Sequence, residues 1–289
     1  MIELVFTVVA IIILVIAAII DIKTKEVPNI ASYSLIAIVL SLKLIKSIIE
    51  KNFMYFIYAL IGLGIFLIVG LVLYYTKQWG GGDAKLLMGI GAAFLFYPLE
   101  LKEFFNPVIN DFPFILTILI NIFIVGSIYS ILWCIGILIK NKSFSKVIKS
   151  SIKDISNSKI TLIWFTIIFL IIILSFFNTF GILLLIGTVL ATITGFLLKI
   201  IKTIESDYLI KEIPIAKLTE GDWVLNEIKI KNKLIYKPQN TGISKNNILK
   251  LKKLKIKKVT IKEGIPFVPA IALGTIISII LGNLIFIIA

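Results

Sequence analysis

Apolar residues run through the chain in long uncharged stretches, and charged or turn-forming residues break them at intervals that suit membrane crossings. A helix needs roughly 17–25 mostly apolar residues to cross a bilayer. Runs near 3–20, 30–49, 53–76, 84–98, 113–139, 160–177, 180–201 and 266–288 predict eight spans, the fourth of them short. The block from Ile160 to Ile201 is too long for one crossing, and the polar and turn residues of "SFFNTFG", Ser175–Gly181, offer a bend inside it. If that bend does not return the chain across the membrane, the count is seven. The first run, Leu4–Ile20, has neither a basic n-region nor a small-residue cleavage site and is expected to be a retained span.

The stretch from Lys202 to Glu263 follows another rhythm. "EIKIKNKLIYK", Glu227–Lys237, alternates as a half-buried strand does, and "LKIKKVTIK" from Leu254 has similar β-branched character. Between them Ser244 is placed to cap a short helix, "KNNILKLKKL". The expected fold is therefore an all-α polytopic membrane bundle of about six to eight transmembrane helices, with a small cytoplasmic α/β domain before the last helix. The expected boundaries are 1–201 for the bundle, 202–263 for a lysine-rich domain and 264–289 for the final helix. A domain of that size is marginal alone and is expected to lean on the membrane surface or the bundle.

Composition agrees: 59% of residues are hydrophobic and the mean hydropathy is +1.06, against roughly 45–50% apolar content in soluble domains. The net charge of +14 is carried by lysine alone, because the chain has no arginine and no histidine. Mechanisms that need an imidazole are thereby excluded, including Ser-His-Asp and Cys-His catalysis, histidine metal sites and histidine pH switches. The single cysteine, Cys134, lies in an apolar span and reads as a small buried residue. No metal and no cofactor is expected. Nucleic acid is not an expected partner either, since arginine forks are missing and aromatics are few in the lysine-rich region. A basic face that sets topology and attracts anionic lipid accounts for the same lysines.

Lysine placement gives the orientation. In an eight-span arrangement the basic loop Ile139–Lys159, the region Lys202–Glu263, the loop with Lys23 and Lys25, and the glycine loop with Lys77 and Lys85 share one side, the cytoplasm. The N-terminus with Glu3, and the acidic loop of Glu100, Glu103 and Asp111, fall outside. Lys43, Lys46 and Lys51 dissent, in the outer turn between spans two and three.

Two carboxylates stand out at one depth. Asp21 ends the first span in "AAIIDIKTKEVPN", and Asp83 follows Gly80, Gly81 and Gly82 in "QWGGGDAKLLMGIGAA". Acids near a membrane interior are costly and point to function. A facing pair shares a proton and can run aspartic-protease chemistry without imidazole, metal or thiol. The glycines permit unusual backbone angles and close approach of a peptide, and Pro28 and Asn29 stop the chain after Asp21 and turn it into the second span.

"GGGDAKLLMGIG" resembles the Gly-x-Gly-Asp motif of type IV prepilin peptidases and archaeal preflagellin peptidases. "DIKTKEVPN" resembles that family's first aspartate segment, and "GIPFVPAIALG", Gly264–Gly274, its Pro-Phe-x-Pro lead-in to the last span. The resemblance implies a membrane aspartyl endopeptidase of the multi-pass plasma-membrane type. It implies removal of short basic leaders from pilin-like or flagellin-like precursors at the cytoplasmic face, with Asp21 and Asp83 as the catalytic pair. Gly80 and Gly82 fall on the motif glycines, and Lys85, Pro28 and Asn29 on supporting positions. The chain lacks the four-cysteine insertion of many bacterial members and has no recognisable methyl-donor loop, which favours an archaeal type without N-methyltransferase activity. If a basic leader is recognised by charge, Glu26 is the first candidate, followed by Asp207, Glu212, Glu220 and Asp222.

Other readings fit parts of the pattern. A presenilin-like enzyme also uses Gly-x-Gly-Asp, but its partner aspartate follows a tyrosine, and no tyrosine precedes Asp21. An ion-coupled transporter would use Asp21 and Asp83 as ion or proton ligands. A non-catalytic pilus-assembly protein would use neither as a catalyst.

Overall fold

A computed structural model of the chain describes residues 2–109, 112–156, 188, 200–230, 233–239, 242–254 and 256–288. The expected span at 160–177 and the bend at 175–181 lie outside these, as do Asp111 and all of 180–201 except residues 188, 200 and 201. The chain divides into two compact units, residues 1–131 with 212–289, and residues 132–211.

Among the described residues, four helices are long and apolar enough to cross a membrane: α1 (Ile2–Thr24), α2 (Asn29–Ile49), α3 (Met54–Tyr75) and α5 (Phe114–Lys140). The protein is a multi-pass membrane protein, mostly helical, with a small strand-containing region near its C-terminus. Just beyond α1, α2 and α3 the chain turns through Lys25, Lys51 and Lys77 at φ of 58°, 50° and 62°. Left-handed backbone costs a non-glycine residue about 1–2 kcal/mol, and a cation beside a helix C-terminus recovers part of it from the helix dipole.

The fourth expected span is a helix of 13 residues, α4 (Gly81–Ala93), which starts and stops earlier than 84–98. Pro98 accounts for the early stop, because it disfavours helix at Tyr97, and a 3₁₀ turn, Leu99–Glu103, follows. Helix α4 packs chiefly on α3 and α2, and glycines make the fit. A Cβ at Gly62 of α3 would strike the Gly91 carbonyl oxygen, and one at Gly91 would strike the Gly62 carbonyl oxygen, so the two backbones touch there. On the α2 side, a Cβ at Gly89 would lie 2.6 Å from Leu35 Cδ2. Small residues that let backbones meet are the usual basis of helix association in lipid.

The last expected span, 266–288, is broken into α8 (Val268–Ile280) and α9 (Leu284–Ile288), with α8 packed on α1. Gly282 sits at φ +88° in the break. The backbone groups freed there find partners within the protein, as lipid requires. Val108 donates to Leu281 O at 2.9 Å and accepts from the Asn283 N–H at 2.8 Å. Asn121, fully buried on α5, donates to Ser278 Oγ at 2.9 Å and Gly282 O at 2.6 Å, and accepts from the Leu284 N–H at 3.1 Å.

The bundle end at the start of α1 carries a buried ion pair, Lys46 Nζ to Glu3 Oε1 at 2.6 Å. Reciprocal bonds surround it: Glu100 N–H donates to Glu3 Oε2, and Leu4 N–H to Glu100 Oε2. Lys43 Nζ lies 4.0 Å from the Phe6 ring centroid.

The strand-containing region has a sheet of order β1 (Ile210–Pro214), β5 (Lys258–Lys262), β2 (Trp223–Val224), and a hairpin of β3 (Ile228–Ile230) with β4 (Lys233–Tyr236). The alternating stretch 227–237, expected as one strand, is thus folded on itself, its alternation serving both arms of the hairpin. Helix α7 (Lys245–Lys253) starts as expected at Ser244, whose Oγ accepts from the Asn247 N–H at 3.4 Å. Ile215, Val224, Ile243, Leu251 and Ile261 are among the residues of its core. In the second unit, the basic stretch expected as a loop forms helix α6 (Phe144–Ser156), with Phe144, Val147 and Ile148 at helical spacing and Lys146 and Lys149 exposed next to them.

The glycine contacts yield a stability prediction. Gly91→Val overpacks two backbones, a class of change that costs about 1–3 kcal/mol or more. Its thermal midpoint in detergent should fall by several degrees, whereas Gly64→Ala, with nothing within 4 Å of the new Cβ, should leave the midpoint in place.

Candidate active site

Asp21 lies in the last turn of α1 and is 4% exposed. The helix ends just after it, where the Lys25 N–H returns to Asp21 O at 2.7 Å and Thr24 Oγ1 accepts from the Glu26 N–H at 3.3 Å. Pro28 then caps α2 in extended geometry, at φ −61° and ψ 129°, so the chain reverses within four residues.

Asp83 lies in the first turn of α4, half-buried. Gly80 holds the N-cap position, and its N–H donates to Asp83 Oδ2 at 2.9 Å, the backward bond of a capping box. Gly82 faces the other loop: a Cβ there would lie 2.5 Å from Val27 Cβ. Lys85 Nζ donates to Asn29 Oδ1 at 2.7 Å and lies 5.3 Å from the Tyr33 ring centroid. Val27 with Gly82, and Asn29 with Lys85, therefore join the two loops that carry the aspartates. These four residues stand in the two motifs quoted above, and their contacts are with each other.

The start of α8 completes the surroundings. The Val268 N–H donates to Asp21 Oδ2 at 3.0 Å, within the buried interior. The Phe267 ring lies 5.3 Å from that of Trp79, centroid to centroid, and fills the space that a Cβ on Gly126 of α5 would need. Trp79 and the Val268 amide were not foreseen as parts of the site. The sequence flags only the second, through the Pro-Phe-x-Pro lead-in, because a backbone donor has no signature of its own.

The charged candidates for leader recognition separate. Glu26 is exposed beside Asp21's loop. Asp222, in the strand-containing region, receives the Thr219 N–H at 2.8 Å and its Oγ1–H at 3.0 Å. Burial pushes its carboxyl up from the ordinary aspartate range, against the hydrogen bonds from Thr219, and the neighbouring charges of Glu26 and Glu263 push the same way. Glu263 pairs with Lys25 at 2.7 Å. Glu212 pairs with Lys258 at 3.2 Å, and Glu220 accepts from the Lys245 N–H at 3.3 Å. Asp207 belongs to the second unit.

Comparison with known proteins adds two findings. Residues 8–131 match the type IV leader peptidase family. A stretch of 106 residues is 33% identical to "Prepilin peptidase EppA" of the archaeon Methanothermobacter thermautotrophicus, covering 35% of this chain and 27% of that protein. The matched stretch thus spans about a quarter of the relative's length. No solved structure matches the chain. The resemblance carried by the aspartate motifs thus agrees with both matches, and residues 8–131, which match the type IV leader peptidase family, hold Asp21, Gly80, Gly82 and Asp83.

Proposed function

We propose that the chain is a membrane aspartyl endopeptidase that removes basic leader peptides from pilin-like or flagellin-like precursors. The carrying observation is that the segments bearing Asp21 and Asp83 are joined to each other, through Gly82 on Val27 and Lys85 on Asn29, with each carboxylate holding a backbone N–H. In the reaction, the ionised member of the pair takes a proton from water as the water oxygen attacks the scissile carbonyl. The protonated member hydrogen-bonds the carbonyl oxygen. Collapse of the tetrahedral intermediate breaks the C–N bond, and a carboxyl proton goes to the leaving amine.

Asp21 and Asp83 are the catalytic residues in this reading. Gly80, Gly82, Pro28, Asn29 and Lys85 are supporting residues that fix how the two loops meet, and no cofactor is needed. Glu26 is the charge partner for a basic leader. Residues 202–263 serve as a cytoplasmic domain with membrane lipid as a partner.

The orientation follows the lysines, with the N-terminus outside the plasma membrane and the dyad at the cytoplasmic face. Two of the three dissenting lysines are accounted for inside the protein, Lys46 by Glu3 and Lys43 by the Phe6 ring. A precursor entering the membrane by its apolar helix presents its scissile bond at the depth of Asp21 and Asp83. An archaeal-type peptidase without N-methyltransferase activity remains the reading of the missing cysteine insertion and methyl-donor loop.

Membranes containing the wild type should cleave a precursor that carries a basic leader ahead of an apolar helix. Asp21→Asn and Asp83→Asn, each folded, should lose at least about a hundredfold in rate, as expected for removal of an acid–base group. Retained cleavage in either variant sinks the dyad, and a wild type that cleaves none of a panel of pilin and flagellin precursors returns the transporter and assembly readings. Gly82→Ala should lower both cleavage and the thermal midpoint through its clash with Val27. Val27→Gly in the same chain should restore them and Val27→Ala should not, because the contact is with the Val27 Cβ itself.

A further inference from the structure

Val268 is the first residue of α8, and its N–H donates to Asp21 Oδ2 at 3.0 Å. A first-turn N–H has no carbonyl in its own helix to bond, and at the end of a bundle it usually turns to water or a capping side chain. Here the donor belongs to a fully buried residue and the acceptor to one that is 4% exposed. The bond is not part of how α8 closes its own first turn. The amides of Ala270 and Ile271 already return to Phe267 O, at 3.0 and 3.2 Å, and Pro269 has no N–H. The segment leading into α8 is held on both sides, by the Glu263–Lys25 ion pair at 2.7 Å and by the Phe267 ring against Trp79 at 5.3 Å. Trp79 is in the same loop as Gly80, so the contact reaches α8 from the Asp83 side.

We infer that the start of α8 is a positioning element for the dyad, in which the backbone amide of Val268 fixes Asp21 Oδ2. The Phe267 amide is turned to the same carboxylate. Val268 acts through Asp21 and does not touch the reacting atoms. The third motif, Pro-Phe-x-Pro, thereby gains a role: it brings backbone amides to one carboxylate. The catalytic part of this inference rests on the peptidase reading; the coupling between Val268 and Asp21 does not.

The test has two arms on the full chain. In the first, Val268→Pro removes the donor at a helix position that accepts proline, while Val268→Ala keeps it and loses only packing. With a pilin-like precursor, Val268→Pro should lose at least tenfold in kcat with KM within twofold of wild type, and Val268→Ala should stay within threefold in kcat. Wild-type kcat in Val268→Pro, or an equal loss in Val268→Ala, overturns the inference. The second arm follows amide hydrogen exchange by NMR in detergent micelles. Asp21→Ala should speed exchange at Val268 at least tenfold and leave Ala270 and Ile271 unchanged, and an unchanged Val268 overturns the inference. If Val268→Pro does not fold, the exchange arm decides. A wild type that cleaves no precursor fails the peptidase reading, and exchange alone then upholds or overturns the coupling.

Discussion

Contact between the backbones of α3 and α4 at Gly62 and Gly91 is the constraint on which the rest of the site depends. In lipid the packing of helices gains little from expelling water, so it rests on van der Waals fit, and fit at this distance tolerates no side chain. Gly89 under Leu35 and Gly82 under Val27 extend the same closeness along α4. The helix axis is thereby set on two sides. Asp83, in the first turn, takes its position from that axis, and Gly80 in the loop before it fixes the carboxylate.

The two carboxylates are accommodated in different ways. Asp83 draws its N–H from Gly80, three residues back, so its local geometry is a property of a short peptide. Asp21 draws its N–H from Val268, far along the chain, so its geometry exists only once α8 is docked. An acid at the edge of lipid needs such donors, since water is scarce there and an unpaired charge is expensive. The site is consequently complete only when α8 is docked, because one of its two carboxylates takes its donor from that helix.

Much of this was legible in the sequence. Uninterrupted apolar runs revealed the crossings at α1, α2, α3 and α5, since nothing but length and hydropathy is needed for them. Asp21 and Asp83 stood out because a carboxylate is rare in such surroundings, and Ser244 because a cap has a local signature. The shortness of α4, the break after Ile280 and the hairpin at 228–236 were not legible, because each depends on a distant partner. Val108 and Asn121 satisfy the break, and no pattern near Gly282 announces them. The same holds for Lys85 and Asn29: both stood in motifs, but their bond to each other appears only when the two loops meet.

Helix length decides what the surrounding bilayer meets. At 1.5 Å per residue, α4 and α8, each of 13 residues, are about 20 Å long, against about 30 Å of hydrocarbon in an ordinary membrane. Both begin at the end of the bundle where the aspartates lie, so their shortfall falls at the opposite end, where the turn at Leu99–Glu103 and the Val108–Gly282 bridge stand in for helix. No residue of α4 is exposed, and α8 exposes only Leu273 and Ile280, so the shortfall is met inside the protein and not by lipid. The longer helices α1, α2, α3 and α5 present the full hydrocarbon depth to the bilayer. Irregular backbone at membrane depth is thereby confined to the protein interior, the one place where its polar groups can find partners.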